Sequence, residues 1–270
     1  MNVYLEEYSA EETVQKYVSK SAGSGIAYLL QHVYGPLYEE QIDKLIRQSG
    51  SQRSFRVLEY GCGGGMNLIW IVRSLLNRNI KIDLAVGTDF AEKMVLAAEK
   101  EASWSLPSGA RDRVSFHPVA NENLDRDLPK ELGLSLSELQ NSFDLIVGVN
   151  TFRYCFRIGY EAKSAGDIFS LLRPGGRSVM IDMNRLFPLF RSKLRRSDKP
   201  EIERFLPSLD QYAQVFRAAG FEIETKKNFC WVPHSAGPGM VAALRAISPV
   251  FQGMFSPFAM RSLVVAQKPL

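Results

Sequence analysis

The tightest constraint in this chain is the stretch Arg56-Val57-Leu58-Glu59-Tyr60-Gly61-Cys62-Gly63-Gly64-Gly65-Met66-Asn67-Leu68. Val57 and Leu58 read as a short buried strand closing on Glu59. Leu68, Ile69, Ile71, Val72, Leu75 and Leu76 read as the apolar side of a following helix. Between them, Gly61, Gly63 and Gly65 stand at alternate positions. Glycine lets the backbone bend sharply and lets a ligand approach the peptide groups, and the free N–H groups that open the helix face that ligand. A strand, a glycine turn and a helix in this order imply an α/β fold.

Three readings of the turn compete. The dinucleotide fingerprint Gly-x-Gly-x-x-Gly needs a third glycine where Met66 stands, and so fails. The spacing Glu-x-Gly-x-Gly-x-Gly, from Glu59 to Gly65, resembles motif I of the class I S-adenosylmethionine (SAM)-dependent methyltransferases. The third reading is a glycine turn with no ligand. Residues 80–88 read as a second buried strand that ends at Asp89. A carboxylate there can accept hydrogen bonds from both hydroxyls of a ribose. It can also cap the helix of residues 91–104, whose inner stripe is Met94, Val95, Ala97 and Ala98, and the two roles are compatible. Phe90 is placed to pack on an adenine face.

The rest of the chain repeats the resemblance. Residues 113–119 form a third strand, ending at Ala120-Asn121-Glu122-Asn123-Leu124, which is similar to the family's adenine-holding segment. The family often has Asp where Ala120 stands, which shifts the expected contact to Asn121 or its neighbours. His117 reads as structural. Residues 125–142 are a polar insertion with a helix near 135–140. Residues 143–150 are a strongly apolar fourth strand resembling the family's Phe-Asp-Leu-Ile strand, after which the chain passes the sulfonium and the acceptor. Asn150-Thr151-Phe152-Arg153 does not match the Asn/Asp-Pro-Pro-Tyr/Phe motif of amino-group methylation. A helix with Ile168, Phe169, Leu171 and Leu172 stops at Arg173-Pro174-Gly175-Gly176, before a fifth strand at 177–182. A helix at 209–219, a strand at 221–225 and a last strand at 260–268 complete the pattern.

On this resemblance, covering roughly 54–183 and 208–268, the expected fold is a Rossmann-like seven-stranded, mostly parallel sheet. Its last strand is antiparallel and helices cover both faces. The expected organisation is a helical lid (1–50), the SAM-binding core (51–183), an inserted basic cap (184–207) and the remainder of the core with a substrate segment (208–270). The lid carries one stripe at Tyr28, Leu29, His32 and Val33 and a second at Leu37, Ile42, Leu45 and Ile46. Its glycine-rich turn at 21–25 is flexible enough to fold over a ligand. The cap holds Arg185, Arg191, Lys193, Arg195, Arg196 and Lys199 among apolar residues, which admits a solvated cover, an anion site, or contact with a membrane or nucleic acid. Residues 230–258 either line an apolar pocket or form a packing helix.

The resemblance implies SAM as cofactor, S-adenosylhomocysteine (SAH) as product, and no metal. Tyr17, Glu59, Gly61, Cys62, Gly63, Asp89, Phe90, Met94, Ala120, Asn121, Glu122 and Asn150 are the expected cofactor residues. Phe152, Arg153 and Tyr154 are the expected substrate residues. Direct displacement at an activated methyl needs a general base only for some acceptors. None stands out, and His32, His234 and Tyr154 are the weak candidates. A small, partly apolar acceptor is expected, as in natural-product tailoring at O, N or C. The alternatives are a lipid or nucleic-acid substrate using the basic insertion, and a SAM-binding protein that transfers nothing. A net charge of +4 over 270 residues is too small to argue for nucleic acid. Three scattered cysteines and no signal-like or membrane-spanning stretch point to a cytoplasmic protein, with peripheral membrane contact and self-association left open.

Overall fold

The structure, a computed structural model, describes residues 23–49, 53–190 and 205–270. Tyr17 and the residues from Arg191 to Lys199 lie outside the described residues. Seven strands form one sheet in the order β3-β2-β1-β4-β5-β7-β6. They are β1 (Phe55–Tyr60), β2 (Ile82–Asp89), β3 (Val114–Pro118), β4 (Phe143–Val149), β5 (Leu172–Met183), β6 (Glu222–Phe229) and β7 (Arg261–Gln267). The neighbours from β3 to β5 run parallel, and β7 enters antiparallel between β5 and β6. This is the sheet expected from the sequence.

Strands buried on both faces read as unbroken apolar runs, and β4 (FDLIVGV) is buried along nearly its whole length. Edge strand β6 alternates in burial and carries Lys226 and Lys227, charges that discourage pairing with another chain. It runs four residues past the 221–225 expected from its alternation, because pairing with β7 continues to Phe229↔Arg261.

On one face lie α2 (Gly35–Ser49), α3 (Met66–Asn77) and α4 (Glu92–Ser105), whose Tyr38, Ile42, Leu68, Val72, Leu75 and Ala98 share a core with Val57, Ala85 and Leu145 of the sheet. On the other lie α5 (Leu124–Leu132), α7 (Glu161–Leu171) and α8 (Leu209–Ala218), with Phe152, Ile168, Tyr212 and Phe216 packed on Leu58, Ile146 and Met180. The Arg-Pro-Gly-Gly turn is a bulge inside β5. Phe143 pairs with Leu172 and Leu145 with Arg177, so residues 173–176 stand opposite Asp144. The Asp144 carboxylate fills that gap, accepting from Arg56 N at 2.8 Å and Arg173 Nε at 2.5 Å.

The N-terminal helices, expected as a lid, differ from their periodicity. Helix α1 (Ser24–Leu29) runs into a π-helical turn, Leu30–Tyr34, before α2. Gly35 N–H bonds to Leu30 O, five residues back. Pro36 follows, and its ring, lacking an N–H, disfavours a regular α-turn against the preceding carbonyls. The wider turn shifts the phase of the helix. Leu29, Leu30 and Tyr34 face inward, while His32 is exposed and rests on the Tyr28 ring. Gly25 lies within α1, where a Cβ would meet His234 O at 2.5 Å, so it serves helix packing rather than a flexible turn.

Helix α9 (Pro238–Phe255) has no buried residue. It leaves Met240, Ile247, Val250, Met254 and Phe255 exposed, while Val241 and Leu244 touch the core, so it is neither a fully packed helix nor a pocket wall. No helix among the described residues is long and apolar enough to cross a membrane.

Candidate active site

A cavity of about 440 Å³ opens at the C-terminal ends of β1, β2, β4 and β5, the edge where ligands of open α/β sheets sit. Its size suits a small-molecule site. The glycine turn, α1 with its π-helical turn, and the loop before α9 all contribute walls.

The turn is built from left-handed backbone at Gly61 (φ 65°), Gly63 (φ 52°) and Gly65 (φ 72°). At Gly61 a Cβ would stand 2.1 Å from Thr151 Oγ1, and at Gly65 it would meet the Phe116 ring at 2.6 Å. Gly64 differs. It borders the cavity and a Cβ there would meet nothing within 4 Å.

Two carboxylates fix this turn. Asp89 Oδ2 accepts from Gly63 N at 2.9 Å and Oδ1 from Ala91 N at 3.0 Å, so one side chain braces the glycine turn and the start of α4. Burial raises its pKa, against those two bonds. Glu59 accepts from Asn67 Nδ2 at 2.7 Å and Leu68 N at 2.9 Å, capping α3 from the neighbouring strand. Asn67 is held in turn by the Tyr38 hydroxyl at 3.1 Å. Burial pushes Glu59 up to about 8, its two bonds oppose this, and the Asp89 charge adds to it. Cys62 is also buried, which holds its thiol well above the usual range.

The structure brings Glu59, Gly61, Cys62, Gly63, Asp89, Phe90, Met94, Asn121, Glu122 and Asn150 to the cavity wall. Ala120 is not on it, and Asn121, whose Nδ2 donates to Thr151 Oγ1 at 2.8 Å, stands there instead. Of the three residues expected at the substrate, Arg153 and Tyr154 line the cavity and Phe152 does not. Phe152 is fully buried, with its ring 4.9 Å from Phe216 and 5.5 Å from Tyr212. A one-residue step at the start of α6 (Arg153–Ile158) turns it into the core while Arg153, also buried, borders the cavity. Among the histidines, His32 points to solvent, away from the cavity. His234 lines it, 3.1 Å from the Tyr34 hydroxyl.

The sequence reading missed several residues. Tyr34 enters because of the π-turn, for which Gly35-Pro36 was the available signal. Arg261 opens β7, 5% exposed, and its Nη1 donates to Asn150 Oδ1 at 2.6 Å. An arginine heading a strand of otherwise apolar residues was the signal there. Asn150 holds a left-handed conformation (φ 58°), and its carbonyl accepts from Arg153 Nη1 at 2.7 Å. Met183, Phe190, Pro233 and Met260 supply an apolar wall beside Arg261.

A family model for the methyltransferase domain matches residues 51–227. The chain belongs to the methyltransferase domain family. It is a SAM-dependent methyltransferase of class I. Solved structures agree in fold. The 4+2 cyclase SpnF is 17% identical, covering 99% of this chain and 96% of its own, at a TM-score of 0.58. A SAM-dependent methyltransferase from Mesorhizobium loti is 16% identical, with 84% and 96% covered, at 0.53. Magnesium protoporphyrin IX methyltransferase (ChlM) from Synechocystis PCC 6803, bound to SAH, is 11% identical, with 99% and 100% covered, at 0.60. No curated protein matches the sequence.

The residues of this methyltransferase fit SAM, its cofactor. The open backbone at Gly64 leaves room at the turn, and Asp89 and Glu122, with Glu59 held neutral by burial up to about pH 8 and able to ionise beside a cation, suit a ligand that carries cationic groups. No group of three His, Cys, Asp or Glu among the described residues is placed to hold a metal.

Proposed function

We propose that this methyltransferase transfers the methyl group of SAM to a small, partly apolar acceptor, in the manner of natural-product tailoring enzymes. The observation that carries this reading is the continuity of one cavity. It runs from the glycine turn and Asp89 to an apolar wall of Met183, Phe190, Pro233 and Met260 roofed by Leu29, Leu30 and Tyr34. An open, basic groove would favour nucleic acid. The described cavity is instead a pocket partly covered by α1, its π-helical turn and the loop before α9, and carboxylates line it beside Arg153 and Arg261.

SAM supplies a methyl already activated on a sulfonium. The protein's share is placement and exclusion of water. In this reading Asp89 takes the ribose hydroxyls with the lone pairs that Gly63 and Ala91 leave free. Glu59 and residues 61–65 face the methionine portion, while Phe90, Met94, Asn121 and Glu122 enclose the adenine. Asn150, held by Arg261 and by its bond to Ile181 O at 2.8 Å, stands where the acceptor meets the methyl. The apolar lid and wall keep water from that point. His234, hydrogen-bonded to the Tyr34 hydroxyl, is the group able to accept a proton from an acceptor that must lose one.

The test is calorimetric titration with SAM, SAH and NADH, followed by labelled-methyl transfer to pools of small apolar acceptors. SAM and SAH binding with transfer supports the reading. Tight SAM binding with no transfer to any pool would favour the non-transferring alternative, and NADH binding alone would overturn the cofactor assignment.

A further inference from the structure

Four arginines are buried in the described structure: Arg153, Arg173, Arg177 and Arg261. Three of them face a carboxylate. Arg153 pairs with Asp182 at 2.9 Å, Arg173 with Asp144 at 2.5 Å, and Arg177 with Glu224. Arg261 pairs with none among the described residues. Among the described residues its side chain meets neutral groups: Nη1 donates to Asn150 Oδ1, the Tyr34 hydroxyl is a second neutral partner, and Nε has none. A buried guanidinium without a counter-charge is costly, because the Coulombic return that normally offsets its desolvation is missing. The fold nevertheless holds it firmly. Register pairs Arg261 with Met183 on one side and Phe229 on the other. Asn184 Nδ2 fastens the preceding loop through Pro257 O at 2.9 Å and Ala259 O at 2.7 Å.

The cavity is therefore electrically polarised. Asp89 and Glu122 stand at the β2–β3 end, and Arg261 stands at the β5–β7 end, with the Tyr34 hydroxyl beside it. Burial raises the Tyr34 pKa, and the nearby Arg261 charge is the largest influence opposing that rise. Tyr34 therefore stays a neutral donor next to the cation. With β4 and β5 lying between β1 and β7, Arg261 lies on the far side of Asn150 from the glycine turn. That is the acceptor's side under the function proposed above, on which this inference rests.

We propose that the acceptor is a small organic acid, and that its carboxylate binds Arg261, with the Tyr34 hydroxyl as second donor. The guanidinium is a planar fork matched to a planar carboxylate. Met183, Pro233 and Met260 around it take the apolar body of the acid. This assigns Arg261 as the residue that selects and orients the acceptor, and it matches a cationic cofactor at one end of the cavity to an anionic substrate at the other.

The experiment uses the protein saturated with SAH, titrated with 3-phenylpropanoate and octanoate, with their uncharged amides, and with phenyl phosphate. Each titration is repeated on Arg261→Met and Arg261→Lys. The expected result is that carboxylates bind at least tenfold tighter than their amides. Arg261→Met abolishes that preference and Arg261→Lys narrows it, while SAH affinity changes less than threefold in both. Carboxylates that bind no better than amides to the wild-type protein would overturn the proposal, as would an unchanged preference in Arg261→Met. Preference for phenyl phosphate over both acids would overturn the assignment to carboxylates. Loss of SAH binding in Arg261→Met would place the cofactor's own carboxylate on this residue and also overturn it. If the wild-type protein fails to bind SAH at all, the failure lies with the proposed function instead.

Discussion

Glu59 gives the sharpest test of the site's electrostatics. Its carboxyl is fully buried on the strand before the glycine turn, bonded to Asn67 and Leu68 and to no cation. Burial moves its pKa from 4.5 to about 8. A carboxyl whose folded pKa is raised contributes stability that is fully present below its unfolded value and is lost as pH rises through the folded one. The window is thus pH 4.5 to about 8, and stability falls as pH rises across it. Each tenfold change in proton affinity is worth about 1.4 kcal/mol. Ionising Glu59 in the folded state therefore costs about 3–5 kcal/mol more than in the unfolded chain. Glu59→Gln removes the ionisation and keeps an oxygen acceptor. Urea denaturation of both proteins from pH 5 to 9 should give curves whose difference falls steadily up to about pH 8 and then levels. Parallel curves would refute the burial argument. SAM, carrying a sulfonium and an ammonium, should pull the Glu59 pKa down. Its binding near pH 7 should then release protons, seen as a calorimetric enthalpy that depends on the buffer, and Glu59→Gln should lose that release.

Asp89→Ala strips the acceptor from the Gly63 and Ala91 N–H groups as well as from a ribose. It should weaken SAM binding by about 2–4 kcal/mol, with a lowered melting temperature beside it; unchanged SAM affinity by calorimetry would reject the ribose assignment. Gly64→Ala should melt like the wild-type protein, since its Cβ meets nothing in the protein, yet lose SAM affinity because that Cβ enters the cavity. Gly61→Ala should fail on both counts, with a Cβ 2.1 Å from Thr151 Oγ1 and a left-handed backbone, and a stable Gly61→Ala protein would contradict the geometry. Phe152→Ala should cost about 3–5 kcal/mol in chemical denaturation as a core cavity. Its SAH affinity per folded molecule should not change; a specific loss of ligand binding would return Phe152 to the site.

The parts of this fold legible in the sequence are those where one local rule decides the outcome. The glycine turn, Asp89 at the end of β2 and the apolar run of β4 each state their conformation within a few residues, and the sheet follows from their order. Residues whose placement depends on a partner distant in sequence were not legible. Tyr34 reaches the cavity because Pro36 forces a wide turn, which moves it inward and His32 outward against the plain helical period. Phe152 and Arg153 are adjacent in an expected substrate segment, yet Phe216 and Tyr212 from α8 draw the first into the core. Asp182 on β5 pins the second, its Oδ2 accepting from Arg153 N at 2.8 Å, so that its side chain lies along the cavity wall. Arg261 is the extreme case. Nothing near residue 261 indicates that its neighbour in space is Asn150, or that among the described residues a carboxylate meets each of the other buried arginines and not this one. A strand-end arginine ordinarily reads as solvated. Here β7 is inserted between two strands, and that insertion carries the residue into the interior. The half of the cavity that recognises a shared cofactor is therefore written in local motifs. The half proposed to select the acceptor is assembled from the N-terminal helices, β5 and β7, and only the folded chain brings it together.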